Sequence, residues 1–284
     1  MKRIVTVQDI SCFGKCSLTV ALPVISAMGI ETAVIPTAVL STHTGDGFSG
    51  FTFRDLTSDI SGIAQHWSRL GLGFDSIYTG YLGSIEQLGI VSGLFDSFGG
   101  GDCFIVVDPV MGDSGKMYAG FTDEFTAGMR QLCSRADYII PNLTEAALLL
   151  DRPYSTQQTE ESVKKTLREL AELGCRTPVL TGVCLDGENQ GAAAFDSASG
   201  EYCFSFRRQI NRQVHGTGDI FASVFTGAVT LGMGLAQAVD TAVGFTHDCI
   251  EATLPQMDRY WYGSCFELCL GELTALAEEY GKNL

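Results

Sequence analysis

Apolar and polar residues alternate along this chain in a way that predicts strands separated by amphipathic helices. Runs rich in valine, isoleucine, tyrosine and phenylalanine recur through the first two thirds, and most are separated by apolar positions at helical spacing. The predicted strands cover residues 3–7, 32–40, 76–81, 104–108, 138–141 and 178–183. Such alternation is typical of βαβ units, so we predict an α/β fold of three αβα layers around a mainly parallel sheet.

The pattern changes after residue 183. Two short strand-like segments, 191–196 and 202–208, flank Ser199-Gly200, which predicts a β-hairpin and therefore an antiparallel edge of the sheet. From Gly218 onward the spacing is helical. Because no repeat, low-complexity tract or linker interrupts the sequence, we predict a single domain over residues 1–284.

Composition narrows the classes of partner. Of 284 residues, 45% are hydrophobic and 18% charged, which suits one large core, and the formal net charge is −15. A field of that sign repels nucleic acid and anionic membranes. No apolar run approaches the roughly 18 residues that span a bilayer, and the start of the sequence lacks the apolar stretch of a signal peptide. We therefore expect a cytoplasmic protein that binds neither nucleic acid nor membrane.

Ten cysteines are scattered through apolar segments, and we expect them to be reduced. Cys12 and Cys16, like Cys265 and Cys269, are spaced so that a helix would place both sulfurs on one face, as a metal site requires. Neither pair has a histidine close by in the sequence. Small buried residues are therefore the favoured interpretation of both pairs.

Ligands of open α/β sheets bind at the carboxyl ends of the strands, which identifies the segments that could carry chemistry. In Gly216-Thr217-Gly218-Asp219, two glycines allow close backbone approach to a ligand, and the first N–H groups of the following helix form an anion site. A carboxylate there can take a proton from an alcohol held in line with a phosphate. The alternative is that Asp219 only caps the helix.

Standard nucleotide motifs are absent from the sequence. Phe221 occupies the sixth place of a would-be G-x-G-x-x-G motif, and Asp9 stands where a Walker A loop before Lys15 needs its first glycine. Two acids follow neighbouring predicted strands instead, Asp108 and Glu145, and together they could hold Mg²⁺ beside substrate phosphates. Glu145 could equally cap the helix that starts near Asn142.

Taken together, these motifs resemble the ribokinase-like superfamily and, within it, the pyridoxal/pyridoxamine (vitamin B6) kinase family. GTGD at 216–219 is similar to the superfamily's anion-hole and base signature, and DPVMG at 108–112 with GKMY at 115–118 to the B6 kinases' metal and nucleotide segment. PN at 141–142 with Glu145, STHTG at 41–45 and TGYLGS at 79–84 match further family segments. The matches run in the family's order through most of the chain.

The resemblance implies an ATP-dependent kinase that phosphorylates the 5'-hydroxymethyl group of pyridoxal, pyridoxamine or pyridoxine. It implies Asp219 as the base, with N–H groups of Gly216, Thr217 and Gly218 binding the transferring phosphoryl. It implies that Asp108 and Glu145 organise Mg²⁺ and the ATP phosphates. It leaves open whether the reaction also needs a monovalent cation such as K⁺. The remaining implied contacts are Thr44, Gly45 and Tyr81 at the pyridine ring, Thr181 at the nucleotide, and Arg207 and Arg208 in a loop over ATP (207–215). A homodimer is also expected.

The sequence departs from the family at Asp9, because the B6 kinases generally have serine after the glutamine at this point. We hypothesise that the Asp9 carboxylate pairs with the protonated ring nitrogen of the substrate. His43 is interpreted as a hydrogen-bonding support of the pocket, and His66, His215 and His247 as structural or exposed. Three alternatives stay open: a hydroxymethylpyrimidine kinase, a sugar kinase with an inserted lid sheet, and a ligand-binding relative without catalysis.

Overall fold

A computed structural model describes residues 1–45 and 47–281 of the chain. The strands are β1 (Arg3–Ser11), β2 (Glu31–Leu40), β3 (Phe53–Asp55), β4 (Ser76–Thr79), β5 (Phe104–Val107), β6 (Gly112–Asp113), β7 (Lys116–Met117), β8 (Tyr138–Ile139), β9 (Thr177–Val183), β10 (Asn189–Asp196) and β11 (Glu201–Arg208). The helices are α1 (Leu18–Ala27), α2 (Thr57–Arg69), α3 (Ile85–Phe98), α4 (Asp123–Cys133), α5 (Leu143–Leu149), α6 (Glu160–Glu172), α7 (Thr217–Thr230), α8 (Leu235–Thr253) and α9 (Leu270–Gly281).

The main sheet has the strand order β11-β10-β9-β8-β5-β4-β1-β2-β3. The six central strands from β9 to β2 pair in parallel, whereas β3 at one edge and the β10–β11 hairpin at the other pair antiparallel. Helices cover both faces, so the predicted three-layer α/β fold and its hairpin edge are confirmed. A separate ribbon of β6 and β7 stands beside α5.

Each face of the sheet carries its own apolar core, because neighbouring residues of a strand point to opposite sides. On β1, Val5 packs in the core with α2 to α6, and Ile4 packs in the core with α1, α7, α8 and α9. Helix α6 shows the expected spacing, with Val163, Leu167 and Leu170 buried on one face. By contrast, α7 is buried on every side through residues 220–230, between the sheet and neighbouring helices.

Several predicted boundaries are wrong. Strand β1 continues to Ser11, so Asp9 lies inside it, beside an irregularity in the β1–β2 pairing at Gln8 and Ile10. Strands β3, β6 and β7 are too short for an apolar period to reveal them. The pair Cys12 and Cys16 does not lie on a helix, and Cys12 is exposed rather than a core residue. All ten cysteines are free thiols.

No helix within residues 1–45 and 47–281 is long and apolar enough to cross a membrane.

The carboxyl ends of the parallel strands meet at one edge of the sheet. There, residues at or just beyond the ends of β1, β2, β4, β5, β8 and β9 line a cleft together with the amino-terminal end of α7.

Candidate active site

The cleft at the carboxyl edge of the sheet has a volume of about 990 Å³. Every site residue predicted from the sequence lines it: Asp9, Thr44, Gly45, Tyr81, Asp108, Glu145, Thr181, Arg207, Arg208, Gly216, Thr217, Gly218 and Asp219. These residues come from opposite ends of the chain. The topology therefore gathers the predicted residues in one cavity.

The turn before α7 depends on glycine. Gly216 is the N-cap residue and has a left-handed backbone, with φ at 82°. A Cβ atom at Gly216 would stand 2.0 Å from the backbone oxygen of Lys15, so no larger residue fits without displacing this contact. A Cβ atom at Gly218 would meet nothing within 4 Å. Gly216, Thr217 and Gly218 line the cleft, and none of their N–H groups donates a hydrogen bond to another described residue, so an anion could bind them.

Asp219 lies in the first turn of α7 and is not its cap, so the capping alternative is wrong. Its carboxylate is enclosed by protein but partly accessible from the cleft. Burial raises the pKa of Asp219 to about 7, with a further upward contribution from Asp9 that a backbone contact with Ser17 opposes. A carboxylate with such a pKa can accept and release a proton near neutral pH.

Asp108 follows β5 and Glu145 lies in the first turn of α5, and both side chains are buried. Burial raises the pKa of Asp108 well above its ordinary value, and the charges of Glu145 and Asp219 add to this. Burial also raises the pKa of Glu145 to about 8, against backbone hydrogen bonds that lower it. Three acids thus share one electrostatic environment, which favours a bound cation.

Glu145 is a helix cap as well as a site acid. One oxygen accepts from the backbone N–H of Asn142 at 2.9 Å and the other from that of Met111 at 3.1 Å. With the Asn142 side chain, this makes a complete capping box. By contrast, no described residue donates a hydrogen bond to the Asp108 carboxylate. Asp108 is therefore the better direct ligand for a cation, and Glu145 is held rigidly beside it.

Asp9 lines the cleft near Tyr81 and Asp219, and its charge raises the pKa of both. Its carboxylate accepts a hydrogen bond from the Ser11 hydroxyl at 2.9 Å. Burial raises the pKa of Asp9, while Ser17 and Ser11 lower it. Asp9 in turn raises the pKa of Tyr81 after the larger effect of burial. The Tyr81 ring packs against Phe121, with centroids 5.8 Å apart, and forms one wall of the cleft.

His43 supports the loop that carries Thr44 and Gly45. Its Nδ1 accepts from the backbone N–H of Gly45 at 3.0 Å, so Nε2 carries the proton and donates to the Tyr262 carbonyl oxygen at 3.0 Å. Burial lowers the pKa of His43, which matches a neutral ring with both nitrogens engaged. The predicted hydrogen-bonding support is consistent with this geometry.

The two predicted arginines differ in their surroundings. Arg207 lines the cleft, but its Nη2 lies 3.0 Å from the carboxylate of Asp240 on α8. Its Nη1 also donates a hydrogen bond to the Ser205 hydroxyl. Arg208 has no acidic partner among the residues described. At the same end, Thr181 donates its N–H to the Pro141 carbonyl oxygen at 3.0 Å, joining β9 to the segment before α5.

The cavity wall also contains Ser11, Cys16, Ser17, Phe121 and His247, which the sequence did not predict as site residues, whereas Tyr118 and His215 belong to the predicted segments 115–118 and 207–215. The Nδ1 atom of His247 lies 3.4 Å from the carboxylate of its neighbour Asp248. His215 directly precedes Gly216, and this position next to the glycine turn was an available signal. The hydroxyls of Ser11 and Ser17 had none, because only the fold brings them to Asp9.

The sequence profile of one family, phosphomethylpyrimidine kinase, matches residues 22–261. The chain belongs to this family. It is a kinase with the ribokinase-like fold, and it transfers a phosphoryl group to a hydroxyl group. A curated relative, hydroxymethylpyrimidine/phosphomethylpyrimidine kinase of Bacillus subtilis, is 25% identical over 250 residues, which are 88% of this chain and 82% of that protein.

Two crystal structures resemble this kinase throughout. A Bacteroides thetaiotaomicron protein, provisionally assigned as a phosphomethylpyrimidine kinase and crystallised with pyridoxal, is 39% identical, with a TM-score of 0.91 and coverage of 96% of this chain and 95% of that one. Pyridoxal kinase from Lactobacillus plantarum is 32% identical, with a TM-score of 0.89 and coverage of 98% and 99%. Similar proteins thus act on two kinds of heteroaromatic alcohol, so the family alone does not identify the acceptor.

Proposed function

We propose that this kinase transfers the γ-phosphoryl group of ATP to the 5'-hydroxymethyl group of a vitamin B6 vitamer: pyridoxal, pyridoxamine or pyridoxine. The observation that carries the proposal is the position of Asp219 beside the open N–H groups of Gly216, Thr217 and Gly218. A base and an anion site within one helical turn are the two elements that phosphoryl transfer to an alcohol requires.

In the proposed reaction, the Asp219 carboxylate accepts the proton of the hydroxymethyl group as its oxygen attacks the γ-phosphorus. The bond from phosphorus to the β,γ-bridging oxygen breaks, and ADP leaves. The N–H groups at the start of α7 then stabilise negative charge on the transferring phosphoryl oxygens. With a pKa of about 7, Asp219 can release its proton to solvent after each turnover.

The acids at the other side of the cleft fit Mg²⁺. A buried carboxylate without a hydrogen-bond donor, as at Asp108, requires a cation or a proton, and Mg²⁺ prefers oxygen ligands and phosphates. Asp108 would hold the ion, and Glu145 would hold it directly or through its water. When bound, the ion supplies positive charge to the polyphosphate. Thr181 and Arg208 are proposed ATP contacts, with Arg207 available once it leaves Asp240.

Asp9, Thr44, Gly45 and Tyr81 are the proposed acceptor contacts. Tyr81 offers an aromatic face to a flat ring, and Asp9 offers a carboxylate to a protonated ring nitrogen. No lysine or arginine is among the groups that shift the pKa values of Asp9, Tyr81 and Asp219, which supports a site that accepts a cationic ring. The crystal structure of the 39% identical protein with pyridoxal supports this choice of acceptor.

Hydroxymethylpyrimidine is the second candidate acceptor. The matching family profile is that of phosphomethylpyrimidine kinase, and the Bacillus subtilis relative acts in that class. Its ring also carries a hydroxymethyl group and would present the same alcohol to Asp219. Pyrimidine nitrogens are weaker bases than the pyridine nitrogen, so an ion pair with Asp9 would favour the B6 vitamers.

A kinase assay with pyridoxal, pyridoxamine, pyridoxine and hydroxymethylpyrimidine tests the proposal, with ADP release and the phosphorylated product both measured. We expect turnover of B6 vitamers that requires Mg²⁺ and falls at least about 100-fold in Asp219→Asn. Asp59→Asn, an exposed acid on α2, serves as control. A preference for hydroxymethylpyrimidine selects the second candidate, and no turnover of any acceptor contradicts both.

Three further expectations accompany this proposal. We propose a homodimer, which sedimentation velocity tests. We also propose that ATP is the donor, so product formation should follow ATP rather than other phosphoryl donors. Replacement of KCl by NaCl in the same assay measures any need for a monovalent cation.

A further inference from the structure

Gln87 is a polar residue at a position where burial alone favours an apolar one. It lies in the first turn of α3, and its side chain is completely buried. The next residue, Leu88, and Val91 one turn further along the helix belong to the apolar core. Because burying an amide costs free energy unless its polar atoms have partners, a glutamine here indicates specific hydrogen bonds.

The amide of Gln87 joins three segments of the chain. Its Oε1 accepts from the backbone N–H of Gly83 at 2.7 Å. Its Nε2 donates to the Thr37 carbonyl oxygen at 3.0 Å and to the Thr57 hydroxyl at 2.9 Å, with a carboxylate oxygen of Asp55 3.4 Å away. Only this orientation of the amide fits, since an N–H cannot accept and a carbonyl oxygen cannot donate. A buried network in which every member is paired holds its segments in one arrangement.

Two of these segments fix Tyr81, the aromatic wall of the cleft. The Thr37 hydroxyl donates to the Tyr81 carbonyl oxygen at 3.1 Å, so the strand bonded to Gln87 also holds the backbone of Tyr81. Gly83 lies between Gln87 and the tyrosine ring. A Cβ atom on this glycine would stand 3.8 Å from Oε1 of Gln87, 3.5 Å from Cε1 of Tyr81 and 3.6 Å from the Tyr81 hydroxyl oxygen. Gln87 therefore holds both the backbone of Tyr81 and the surface on which its ring lies.

We propose that Gln87 is a positioning residue for the acceptor. Gln87 does not line the cleft, so it acts by fixing the Tyr81 ring, and it thereby determines how tightly the flat ring of the acceptor binds. This role rests on the proposed function, in which Tyr81 contacts that ring.

A role in stability alone is the alternative. Gln87 is the third residue of α3, and its N–H donates to the hydroxyl of the cap residue Ser84 at 3.2 Å. Side chains at this position often reach back to the helix start, so the bond to Gly83 also supports α3. The two roles differ in kinetics, because only a change in the position of Tyr81 alters the KM for the acceptor.

Gln87→Met separates these roles, since methionine has a similar length and suits an apolar site but lacks the amide. We expect the KM for the acceptor to rise about fivefold to tenfold while the KM for ATP stays the same. The acceptor is pyridoxal or hydroxymethylpyrimidine, whichever the unaltered protein phosphorylates faster. Thr159→Ala is the matched control. Its hydroxyl accepts from the Ser162 N–H at 3.1 Å at the start of α6, away from the cleft wall, so only Tm should fall.

The Thr37 hydroxyl provides a second, milder measurement in case Gln87→Met folds poorly. Thr37→Val removes the bond to the Tyr81 carbonyl oxygen and should raise the acceptor KM about threefold, whereas Thr37→Ser keeps the hydroxyl and should keep the KM. An acceptor KM that is unchanged in both Gln87→Met and Thr37→Val would overturn the proposal, because Gln87 would then serve stability alone.

Tyr81→Ala tests whether Gln87 acts through Tyr81. In the Tyr81→Ala background, Gln87→Met should change the acceptor KM by less than about twofold, since the ring that it positions is gone. An undiminished effect of Gln87→Met in that background contradicts the proposal. If the unaltered protein phosphorylates neither acceptor, the proposed function and this role are both wrong. If the unaltered protein is active and the variants give the contrary results, only the role of Gln87 is wrong.

Discussion

Gly216 and Lys15 are so close that a Cβ atom on the glycine would stand 2.0 Å from the Lys15 carbonyl oxygen. This contact joins the loop after β1 to the turn that begins α7. Since the left-handed φ of Gly216 adds to the steric conflict, the turn admits no side chain. The loop that follows Asp9 and the helix of Asp219 are thereby held against each other.

The two glycines of this turn should respond differently to alanine. Gly216→Ala introduces both the clash with Lys15 and an unfavourable φ, so we expect a loss of about 1–3 kcal/mol of unfolding free energy in urea. Gly218→Ala meets no neighbour and should keep its stability, yet lower kcat because its methyl group projects toward the phosphate position. Equal stability of the two variants would contradict the role of the Lys15 contact.

Activity should follow the protonation of Asp219. Because the pKa of Asp219 is raised to about 7, kcat/KM should increase with pH through about 7 and level off above it. The measurement is initial rate from pH 5.5 to 9 at subsaturating acceptor. In Asp219→Asn the remaining activity should not rise with pH in this way. If the variant shows the same rise, a group other than Asp219 is responsible for it.

Stability should change with pH in the opposite direction. The pKa of Asp219 and that of Glu145, about 7 and about 8, lie above the ordinary carboxylate values, so the folded state holds these protons more tightly than the unfolded state. Their contribution to stability is complete below about pH 4 and is lost as pH rises to about 8. Thermal unfolding without Mg²⁺ and ATP should therefore give a smaller decline over this range in Asp219→Asn than in the unaltered protein.

Asp240 should restrain Arg207. Asp240→Ala removes the carboxylate 3.0 Å from the guanidinium and frees Arg207 to reach polyphosphate, so the KM for ATP should fall severalfold. Arg208→Gln should raise the same KM about tenfold. Lys165→Gln, an exposed cation on α6, is the control for net charge. If Asp240→Ala raises the KM instead, the ion pair is part of the binding-competent arrangement.

Asp9 should decide how the acceptor's charge is recognised. Asp9→Asn removes a negative charge but keeps a polar group of the same shape, so the KM for pyridoxal should rise about tenfold at neutral pH and lose its pH dependence. Asp9→Ser, which introduces the residue of the resembling family, should recover part of the affinity. If the KM for pyridoxal is unchanged across pH in Asp9→Asn, Asp9 does not pair with the ring nitrogen. That result would leave the proposed kinase activity unaffected.

Much of this architecture could be predicted from local sequence. The parallel strands are visible as apolar runs between segments with helical spacing. The β10–β11 hairpin is visible because Ser199-Gly200 separates two strand-like segments. The GTGD turn is visible in the sequence as two glycines and an acid before a helical pattern, but helix capping explains the same residues, so the other motifs are needed to interpret it. Strand β3 is visible only through its pairing with β2, since three exposed residues carry no period.

The unpredicted parts of the site depend on contacts distant in sequence. Hydrogen bonds from Ser17 lower the pKa values of Asp219 and Asp9, because the fold brings the loop after β1 close to both acids. No feature of the sequence near Ser17 indicates these contacts. The partner of Arg207 lies on α8, and the carbonyl that receives the His43 proton belongs to Tyr262. Such pairings are properties of the assembled molecule.

The burial of α7 on every side has a consequence for how such proteins diversify. Displacing this helix would disturb both the sheet and the helices above it, so Asp219 is held in a fixed place, while the proposed acceptor contacts lie on the segments at the ends of β1, β2 and β4. We expect mutations in those segments to change which ring is accepted without moving the proposed base. New acceptor preferences can therefore arise in a lineage while the ability to phosphorylate an alcohol is inherited unchanged.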